Sequence, residues 1–187
     1  MLLRSIHGAV DELKAKDVTE IVVRGNVVMR GYYNDPEATA QAIRDGWFHT
    51  GDQVEYEEGG NLKIVGRIKN LIKPESGHYL APEPLEEKLM TACPQVQQCM
   101  LVGHGRAHVA ILVTGEPPRD AVEQGIEAVN AELPFYKRIR GVVWADERFT
   151  IENGLLTANQ KLKRRAIEQR FAGQIDAYYA EAAKAGK

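Results

Sequence analysis

Gly66-Arg67-Ile68-Lys69-Asn70-Leu71-Ile72-Lys73 is the stretch at which the pattern of the sequence changes. Before it, short runs of β-branched residues are punctuated by glycine, which is typical of strands and turns. After it, helix-spaced and strand-spaced apolar residues alternate. The sequence therefore predicts an α+β chain in two parts. A small, mostly-β subdomain covers residues 1–66, and a compact α+β domain with a small sheet and flanking helices covers residues 67–187.

The part before the junction predicts strands and one short helix. Residues 20–31 indicate a strand pair or one bent strand. Asp35 offers an N-cap and Pro36 a first helical position, so a short helix is predicted there. Residues 53–56 and 62–65 flank Glu-Glu-Gly-Gly-Asn, which predicts a β-hairpin with a glycine turn.

The part after the junction predicts helices packed on a few strands. A helix begins near residues 82–84 and carries Leu85, Leu89 and Met90 on one face. The other periodic segments are strands over residues 96–102, 108–114 and 141–145 and helices over residues 119–133 and 162–183. The last helix has a core stripe made of Ile167, Phe171, Ile175 and Tyr178 or Tyr179.

The composition excludes several classes of protein. The 187 residues carry 24 Lys and Arg against 26 Asp and Glu, a formal net charge of −2, so no net basic field is available to hold nucleic acid. No apolar run is long enough to span a bilayer, and the first residues do not form a signal peptide. Two cysteines cannot form a disulfide framework, which favours a reducing compartment and a cytoplasmic location.

Most candidate sites have an ordinary structural interpretation. Neither G-x-x-x-x-G-K-[ST] nor G-x-G-x-x-G occurs, so no nucleotide cradle is evident. His104 and His108 have a zinc-like spacing only on a helix, and they flank a turn, so no metal site is predicted. Cys93 and Cys99 are interpreted as buried structural thiols. The basic run at residues 161–165 is interpreted as a solvated helix face.

Three residues have a chemical interpretation beside a structural one. Asp52 ends Gly-Trp-Phe-His-Thr-Gly-Asp and can accept two hydrogen bonds from a vicinal diol such as ribose, or be a turn aspartate. Arg67 can clamp a diol or phosphate, or pair with a carboxylate. Lys161 follows a loop rich in Asn, Gly and Thr and can deliver a point charge to a developing negative charge. The residues alone leave these alternatives open.

Taken together, four motifs in order resemble the adenylate-forming (AMP-binding) superfamily, which includes acyl-CoA synthetases, peptide-synthetase adenylation domains and firefly luciferase. The motifs are residues 25–33, 46–52, 66–73, and 153–157 with 161–165. Residues 81–89 and 149–165 look most like the long-chain fatty acyl-CoA synthetase branch. The resemblance implies that residues 1–66 end the large adenylate-forming domain and that residues 67–187 are its C-terminal lid domain.

The resemblance also implies roles for individual residues. Asp52 and Arg67 would bind the ribose of the nucleotide. Lys161 would be the catalytic lysine of adenylation, and Lys73 matches a second catalytic lysine that the luciferase branch uses after domain rotation. Two positions concern that rotation: Lys69 matches the hinge residue, and Gly77 lies on the loop that faces the thiol acceptor channel. Ala158 and Gln160 depart from the family pattern, which often has proline and glycine there.

The large N-terminal domain of the family is not in this sequence. The phosphate loop, the adenine pocket, the magnesium-binding glutamate and the acyl tunnel belong to that domain. ATP and CoA are the expected substrates together with a carboxylic (fatty) acid, Mg²⁺ is expected through the missing domain, and the chain alone is expected to lack activity. No nucleic acid is expected as a partner, whereas peripheral membrane contact is allowed for the whole enzyme.

Three rival interpretations stay open. The chain could be a standalone or split lid that docks on a separate large subunit. It could be a catalytically dead remnant kept for interaction, although drift would have had no reason to spare Asp52, Arg67 and Lys161. Finally, the acceptor could be the phosphopantetheine of a carrier protein in place of CoA.

Overall fold

The structure, a computed structural model, describes residues 2–3, 10–11, 20–56 and 62–185. The chain divides into two compact units, Met1–Leu71 and Ile72–Lys187. This division falls inside the junction from which the sequence analysis began. The finer assignment of residues 1–66 and 67–187 as domains of a whole enzyme stays a prediction. Both units combine helices with small open sheets, which confirms the α+β class.

Unit 1 is built on an antiparallel sheet. Its described strands are β1 (Leu2–Leu3), β2 (Val10–Asp11), β3 (Glu20–Val23), β4 (Ile43–Arg44), β5 (Trp47–Tyr56) and β6 (Leu62–Arg67). Their order is β1-β6-β5-β3-β2, with β4 also beside β5. Because β5 is long and central, it pairs with β3 on one side and β6 on the other, and it carries the Gly-Trp-Phe-His-Thr-Gly-Asp motif.

The helix predicted in unit 1 is confirmed, and the strands are confirmed in part. Helix α1 (Pro36–Ala42) begins after Asp35, whose carboxylate accepts from the Ala38 amide at 2.8 Å. The strands of the predicted hairpin pair as β5 and β6, whereas its turn at residues 57–61 lies outside the described residues. The predicted strand over residues 26–31 is wrong, because only Glu20–Val23 of this stretch forms a strand. Gly25 has φ +135°, and residues 25–28 form a turn.

Unit 2 is a three-layer domain. Its elements are α2 (Pro82–Ala92), β7 (Cys99–Val102), β8 (Val109–Val113), α3 (Arg119–Ala131), β9 (Ile139–Trp144), α4 (Arg164–Arg170) and α5 (Ala172–Lys184). The sheet has the order β7-β8-β9, in which β7 is antiparallel and β9 parallel to β8. A parallel pair needs a crossover, and α3 provides it.

Alternate residues of β8 enter two different cores, and all of them are buried. Val109, Ile111 and Val113 pack with α2 and α3. Ala110 and Leu112 pack with Phe149 and with the residues of α4 and α5. The unbroken apolar run of this strand is therefore the consequence of burial on both faces.

Two details of the predicted helices are wrong. The C-terminal helix is two helices, because the chain leaves helical geometry at Phe171, whose ring packs edge-on against Phe149 at a centroid distance of 5.7 Å. Its predicted stripe is nevertheless confirmed, since Ile167, Phe171, Ile175 and Tyr179 are all buried. On α2, Leu85 and Leu89 face the core as predicted, but Met90 is exposed because it lies about 100° around the helix from Leu89.

Gly125 on α3 tests the close approach of α2 and α3. A methyl group on Gly125 would lie 2.9 Å from Cys93 Cβ and 3.3 Å from Leu89 Cδ1. We expect Gly125→Ala to lower the free energy of unfolding by about 1–3 kcal/mol through overpacking. Gly173→Ala is the control, because nothing lies within 4 Å of its added methyl group, and it should be neutral or stabilising by up to about 1 kcal/mol. Urea unfolding followed by far-ultraviolet circular dichroism measures both, and equal stabilities would contradict the tight contact.

His108 makes the stability of unit 2 depend on pH. Its Nε2 lies 3.0 Å from the Tyr178 hydroxyl, and burial, followed by the Arg140 charge, lowers its pKa below the ordinary 6.5. The unfolded chain then binds this proton more readily than the folded one, so stability is full above pH 6.5 and falls as the pH decreases below that value. In urea titrations at several pH values, His108→Gln should flatten this slope relative to the unsubstituted chain. An unchanged slope in His108→Gln would contradict the assignment.

Candidate functional site

The Gly-Trp-Phe-His-Thr-Gly-Asp motif occupies the turn before β5 and the first part of that strand. Gly51 has φ +70°, a left-handed conformation that favours glycine. The Thr50 hydroxyl donates to the Ile21 carbonyl at 2.8 Å and accepts from the Asp52 amide at 3.0 Å. Thr50 therefore ties the motif to β3 and fixes the backbone position of Asp52 within β5.

A buried carboxylate, Glu20, lies beneath the same motif. It is 4% exposed, accepts from the Gly51 amide at 2.8 Å and lies 2.9 Å from His49 Nδ1. A buried carboxylate needs such partners, so its contacts fix the backbone of the motif. The sequence analysis missed Glu20. The available signal was a charged residue in register with the inward-facing Val22 of an otherwise apolar strand.

Asp52 and Arg67 face each other across β5 and β6. Arg67 Nε lies 2.8 Å from Asp52 Oδ1, and Arg67 Nη1 donates to the Thr50 carbonyl at 2.8 Å. The structure thus realises the carboxylate-pairing alternative for Arg67. Both side chains remain accessible, at 52% and 23% exposure for Arg67 and Asp52. The pair therefore presents an oriented, partly exposed carboxylate beside a cation and can bind a vicinal diol.

Lys69 lies at the end of unit 1. It is the middle residue of a short 3₁₀ turn, Ile68–Asn70, which the Leu71 amide closes on the Ile68 carbonyl at 3.2 Å. Its side chain is exposed. The residue is therefore two positions before the division between the two units, Leu71 and Ile72.

Lys73 and Gly77 lie on one loop at the start of unit 2. Ile72 and Leu80 close the loop with two backbone hydrogen bonds of 3.0 Å each. Lys73 Nζ lies 4.9 Å from the centroid of the Tyr79 ring. Gly77 is exposed, has φ +82°, and has open space where a side chain would start. This loop, residues 72–80, is called the Gly77 loop below.

Aromatic and cationic side chains lie next to the Gly77 loop. His78 stacks against Tyr136 with ring centroids 4.3 Å apart, and the Arg140 guanidinium lies 4.2 Å from the Phe135 ring centroid. Phe135 is 69% exposed and Tyr136 is 41% exposed. The sequence analysis did not identify this aromatic–cation surface, because His78 comes from the Gly77 loop and the other residues from the 3₁₀ turn Phe135–Lys137 and from β9, which no local motif connects.

Lys161 lies on a tight hairpin over residues 155–163. The Thr157 amide donates to the Lys161 carbonyl at 2.9 Å, and the Lys161 amide donates to Thr157 Oγ1 at 3.0 Å. Gln160 has φ +58°, which explains why the family pattern often has glycine there. The Lys161 side chain is exposed, and within residues 62–185 no carboxylate pairs with it.

The basic run that contains Lys161 is only partly a solvated face. Lys161, Lys163 and Arg165 are exposed as predicted. Arg164, in contrast, is 15% exposed in its side chain and donates to both carboxylate oxygens of Glu86 on α2, at 2.8 and 2.7 Å. The solvated interpretation is wrong for Arg164, because Glu86 replaces the water that a lone guanidinium would need.

The two cysteines are free and buried, as predicted. Burial, reinforced by the Glu86 charge, raises the pKa of the Cys99 thiol to about 12, so it stays protonated and unreactive at neutral pH. Within the described residues no group of three or more His, Cys, Asp or Glu side chains could hold a metal ion. No helix in the described part of the chain is long and apolar enough to cross a membrane.

The predicted site residues fall into three groups. Asp52 and Arg67 meet in unit 1, Lys73 and Gly77 share a loop of unit 2, and Lys161 lies on a separate hairpin of unit 2. The roles that the resemblance implies for these residues, and for Lys69, stay predictions.

Known proteins are similar to this chain in sequence and in fold. The peroxisomal long chain acyl-CoA synthetase 7 of Arabidopsis thaliana is 35% identical over 88% of this chain and 27% of its own length. The long-chain-fatty-acid–CoA ligase FadD15 of Mycobacterium tuberculosis is 30% identical over 90% of this chain and 32% of its length. Among solved structures, the A-PCP didomain of the carboxylic acid reductase from Segniliparus rugosus, in complex with AMP, superposes with a TM-score of 0.78. It is 27% identical and covers 90% of this chain, which spans 26% of it.

A family model shows which part of such enzymes this is. Residues 69–183 match the C-terminal domain of AMP-binding enzymes, and this region contains Lys73, Gly77 and Lys161. The chain spans about a third or less of the curated relatives. The chain thus belongs to the adenylate-forming family of AMP-binding enzymes and carries its C-terminal domain.

Proposed function

We propose that this chain is the C-terminal portion of an ATP-dependent acyl-CoA synthetase, an acid–thiol ligase. The whole enzyme activates a carboxylic acid, of the fatty acid class, as an acyl-adenylate and transfers the acyl group to CoA. The observation that carries the proposal is Lys161, an exposed cation without a carboxylate partner in residues 62–185, held on a rigid hairpin of the matched domain. The curated relatives named as long-chain acyl-CoA ligases support the substrate class.

Asp52 and Arg67 would bind the nucleotide in this scheme. The contact between Arg67 Nε and Asp52 Oδ1, 2.8 Å, fixes the plane of the carboxylate. Asp52 can then accept hydrogen bonds from the two ribose hydroxyls, while the remaining donors of Arg67 reach the same ribose. Glu20 and Thr50 hold the strand in this geometry before any ligand arrives.

Lys161 would act on the adenylation step. That step brings a negatively charged carboxylate against the α-phosphate of ATP, and charge builds up in the transition state. A lysine charge about 4 Å away offsets this repulsion by about 4 kcal/mol at an effective dielectric constant near 20. The contact would be preorganised, because Thr157 already fixes the Lys161 backbone.

The second step would use another face of unit 2. A thiol must reach the acyl-adenylate after Lys161 has withdrawn, so rotation about Lys69 would bring up the Gly77 loop with Lys73. The exposed Gly77 leaves room for a thin pantetheine arm. The aromatic–cation surface beside it offers stacking and positive charge, the chemistry that an adenine nucleotide handle needs.

The remaining requirements fall on the large N-terminal domain. We propose that this partner supplies the triphosphate loop, the adenine pocket, the acid pocket and the Mg²⁺ site. The chain alone is then expected to be inactive, and ATP–pyrophosphate exchange with and without the large domain tests this. We further propose a cytoplasmic location, which the two free cysteines favour, and the membrane contact of the whole enzyme stays a proposal.

A carrier protein is the second candidate acceptor, and the similarity to an A-PCP didomain favours it. Acyl transfer from a preformed adenylate to free CoA and to a phosphopantetheinylated carrier protein would separate the two acceptors. If the enzyme is split into two subunits, this chain should restore ATP–pyrophosphate exchange when it is mixed with the separate large subunit.

Lys161→Ala tests the adenylation role in a full-length synthetase that ends in this chain. We expect pyrophosphate release in the first half-reaction to fall at least about a hundredfold, the scale for losing one preorganised contact. Lys163→Ala is the matched control, because Lys163 is an exposed lysine on the same hairpin, and it should retain most of the activity. Near-normal pyrophosphate release in Lys161→Ala would reject the proposed role.

Lys69→Pro tests the hinge. Proline fixes φ near −65° at the position where the dihedral angle would change between the two steps. We expect thioester formation to fall much more than adenylation, whereas Lys69→Ala should leave both nearly unchanged. Single-turnover measurements of each half-reaction give the comparison, and equal losses in both would count against the hinge.

A further inference from the structure

An ion pair sealed inside unit 2 lies directly behind the hairpin of Lys161. Both guanidinium Nη atoms of Arg164 bind the Glu86 carboxylate, at 2.8 and 2.7 Å, and their side chains are only 15% and 6% exposed. Arg164 is the first residue of α4 and follows Lys161 by three positions. Between them, the Lys163 amide closes the hairpin on the Leu155 carbonyl at 2.9 Å. The hairpin therefore ends at an anchored residue.

Glu86 connects this anchor to the rest of the domain. Its Oε1 also accepts from the Leu101 amide at 2.7 Å, on the open edge of β7. Glu83, one turn earlier on α2, places its Oε1 3.5 Å from Arg164 Nη2. One carboxylate thus joins α2, the sheet edge and the base of the hairpin. The start of α2, Pro82, is five residues after Gly77, so the Gly77 loop leads into the same helix.

Stability alone does not explain an ion pair at this place. Removing two charges from water is costly, and apolar side chains of similar volume often stabilise a fold equally well. A bidentate pair instead provides a fixed plane and direction, which an apolar contact does not. The arrangement therefore favours a role in geometry.

We propose that Arg164 and Glu86 are positioning residues that fix the Lys161 hairpin relative to α2. The proposal rests on the proposed function of Lys161 in adenylation. Because α2 also continues from the Gly77 loop, one ion pair keeps the adenylation lysine and the acceptor loop in a constant mutual geometry while the domain moves as a body.

The test separates positioning from folding by a neutral replacement. In Glu86→Gln/Arg164→Met neither member of the buried pair carries a charge, and the side-chain carbonyl of the introduced glutamine still accepts from the Leu101 amide. We expect the thermal midpoint of this 187-residue chain to stay within a few degrees. Hydrogen exchange of the Lys161 and Lys163 amides should nevertheless rise at least tenfold, with exchange in α3 unchanged. The exposed neighbour provides the control, and Arg165→Met should change neither quantity.

Activity in the full-length synthetase gives the second readout. Glu86→Gln/Arg164→Met should lower the turnover of adenylation at least tenfold with little change in the KM for ATP. Adding Lys161→Ala to this pair should cost no more than Lys161→Ala alone, because residues that act through one group are not additive. Arg164→Lys keeps the charge but loses the bidentate contact, so its adenylation turnover should lie between that of the unsubstituted enzyme and that of the double variant. This variant also provides the test if the double variant does not fold.

The outcomes distinguish the two proposals. Unchanged hydrogen exchange, or a loss that adds fully to that of Lys161→Ala, would overturn the positioning role. If Lys161→Ala leaves adenylation intact while the hairpin amides still exchange faster in the double variant, the proposed function fails and the anchoring of the hairpin stands.

Discussion

Burial of β8 on both faces is the constraint on which unit 2 depends. With no exposed residue, this strand needs an apolar layer on each side, so α2 and α3 cover one face and α4 and α5 cover the other. The segments that connect these layers must then run over the surface. The Lys161 hairpin is one of them, and the Gly77 loop leads into α2, so the candidate site residues of unit 2 lie on surface loops whose ends are held by a dry core.

In the described part of each unit, a buried carboxylate accepts a hydrogen bond from a backbone amide. Glu20 accepts from Gly51 in unit 1, and Glu86 accepts from Leu101 in unit 2. In both cases the carboxylate lies beneath a segment that carries a candidate site residue, Asp52 or Lys161. An acceptor with about four lone-pair positions can satisfy a cation and an amide together, which an apolar residue in the same place could not do. Rigidity at the site thus comes from polar groups below the surface.

The sequence predicts local features well and long-range contacts poorly. The N-cap at Asp35, the buried strand β8 and the stripe through Ile167, Phe171 and Ile175 follow from spacing and capping, which are properties of neighbouring residues. Asp52, Arg67 and Lys161 were identified because motifs carry them.

Other features depend on residues far apart in the chain. Glu86 and Arg164 are 78 positions apart, and His78 meets Tyr136 from another loop, so no window of sequence contains either pair. The apolar run after Gly25 misled the strand prediction for a related reason. Val27 is 74% exposed, so this apolar residue lies in a turn and does not enter a core.

The left-handed backbone at Gln160 gives the hairpin a thermodynamic character of its own. A non-glycine residue in that conformation carries about 1–2 kcal/mol of steric strain. The same side chain narrows the set of shapes open to the loop when it is released, so less entropy is lost on closing than glycine would lose. Closing the hairpin with Gln160 therefore costs strain energy, whereas closing a glycine-containing counterpart costs more conformational entropy. Its ordering should depend less on temperature than that of the counterpart, because a smaller part of the cost is entropic.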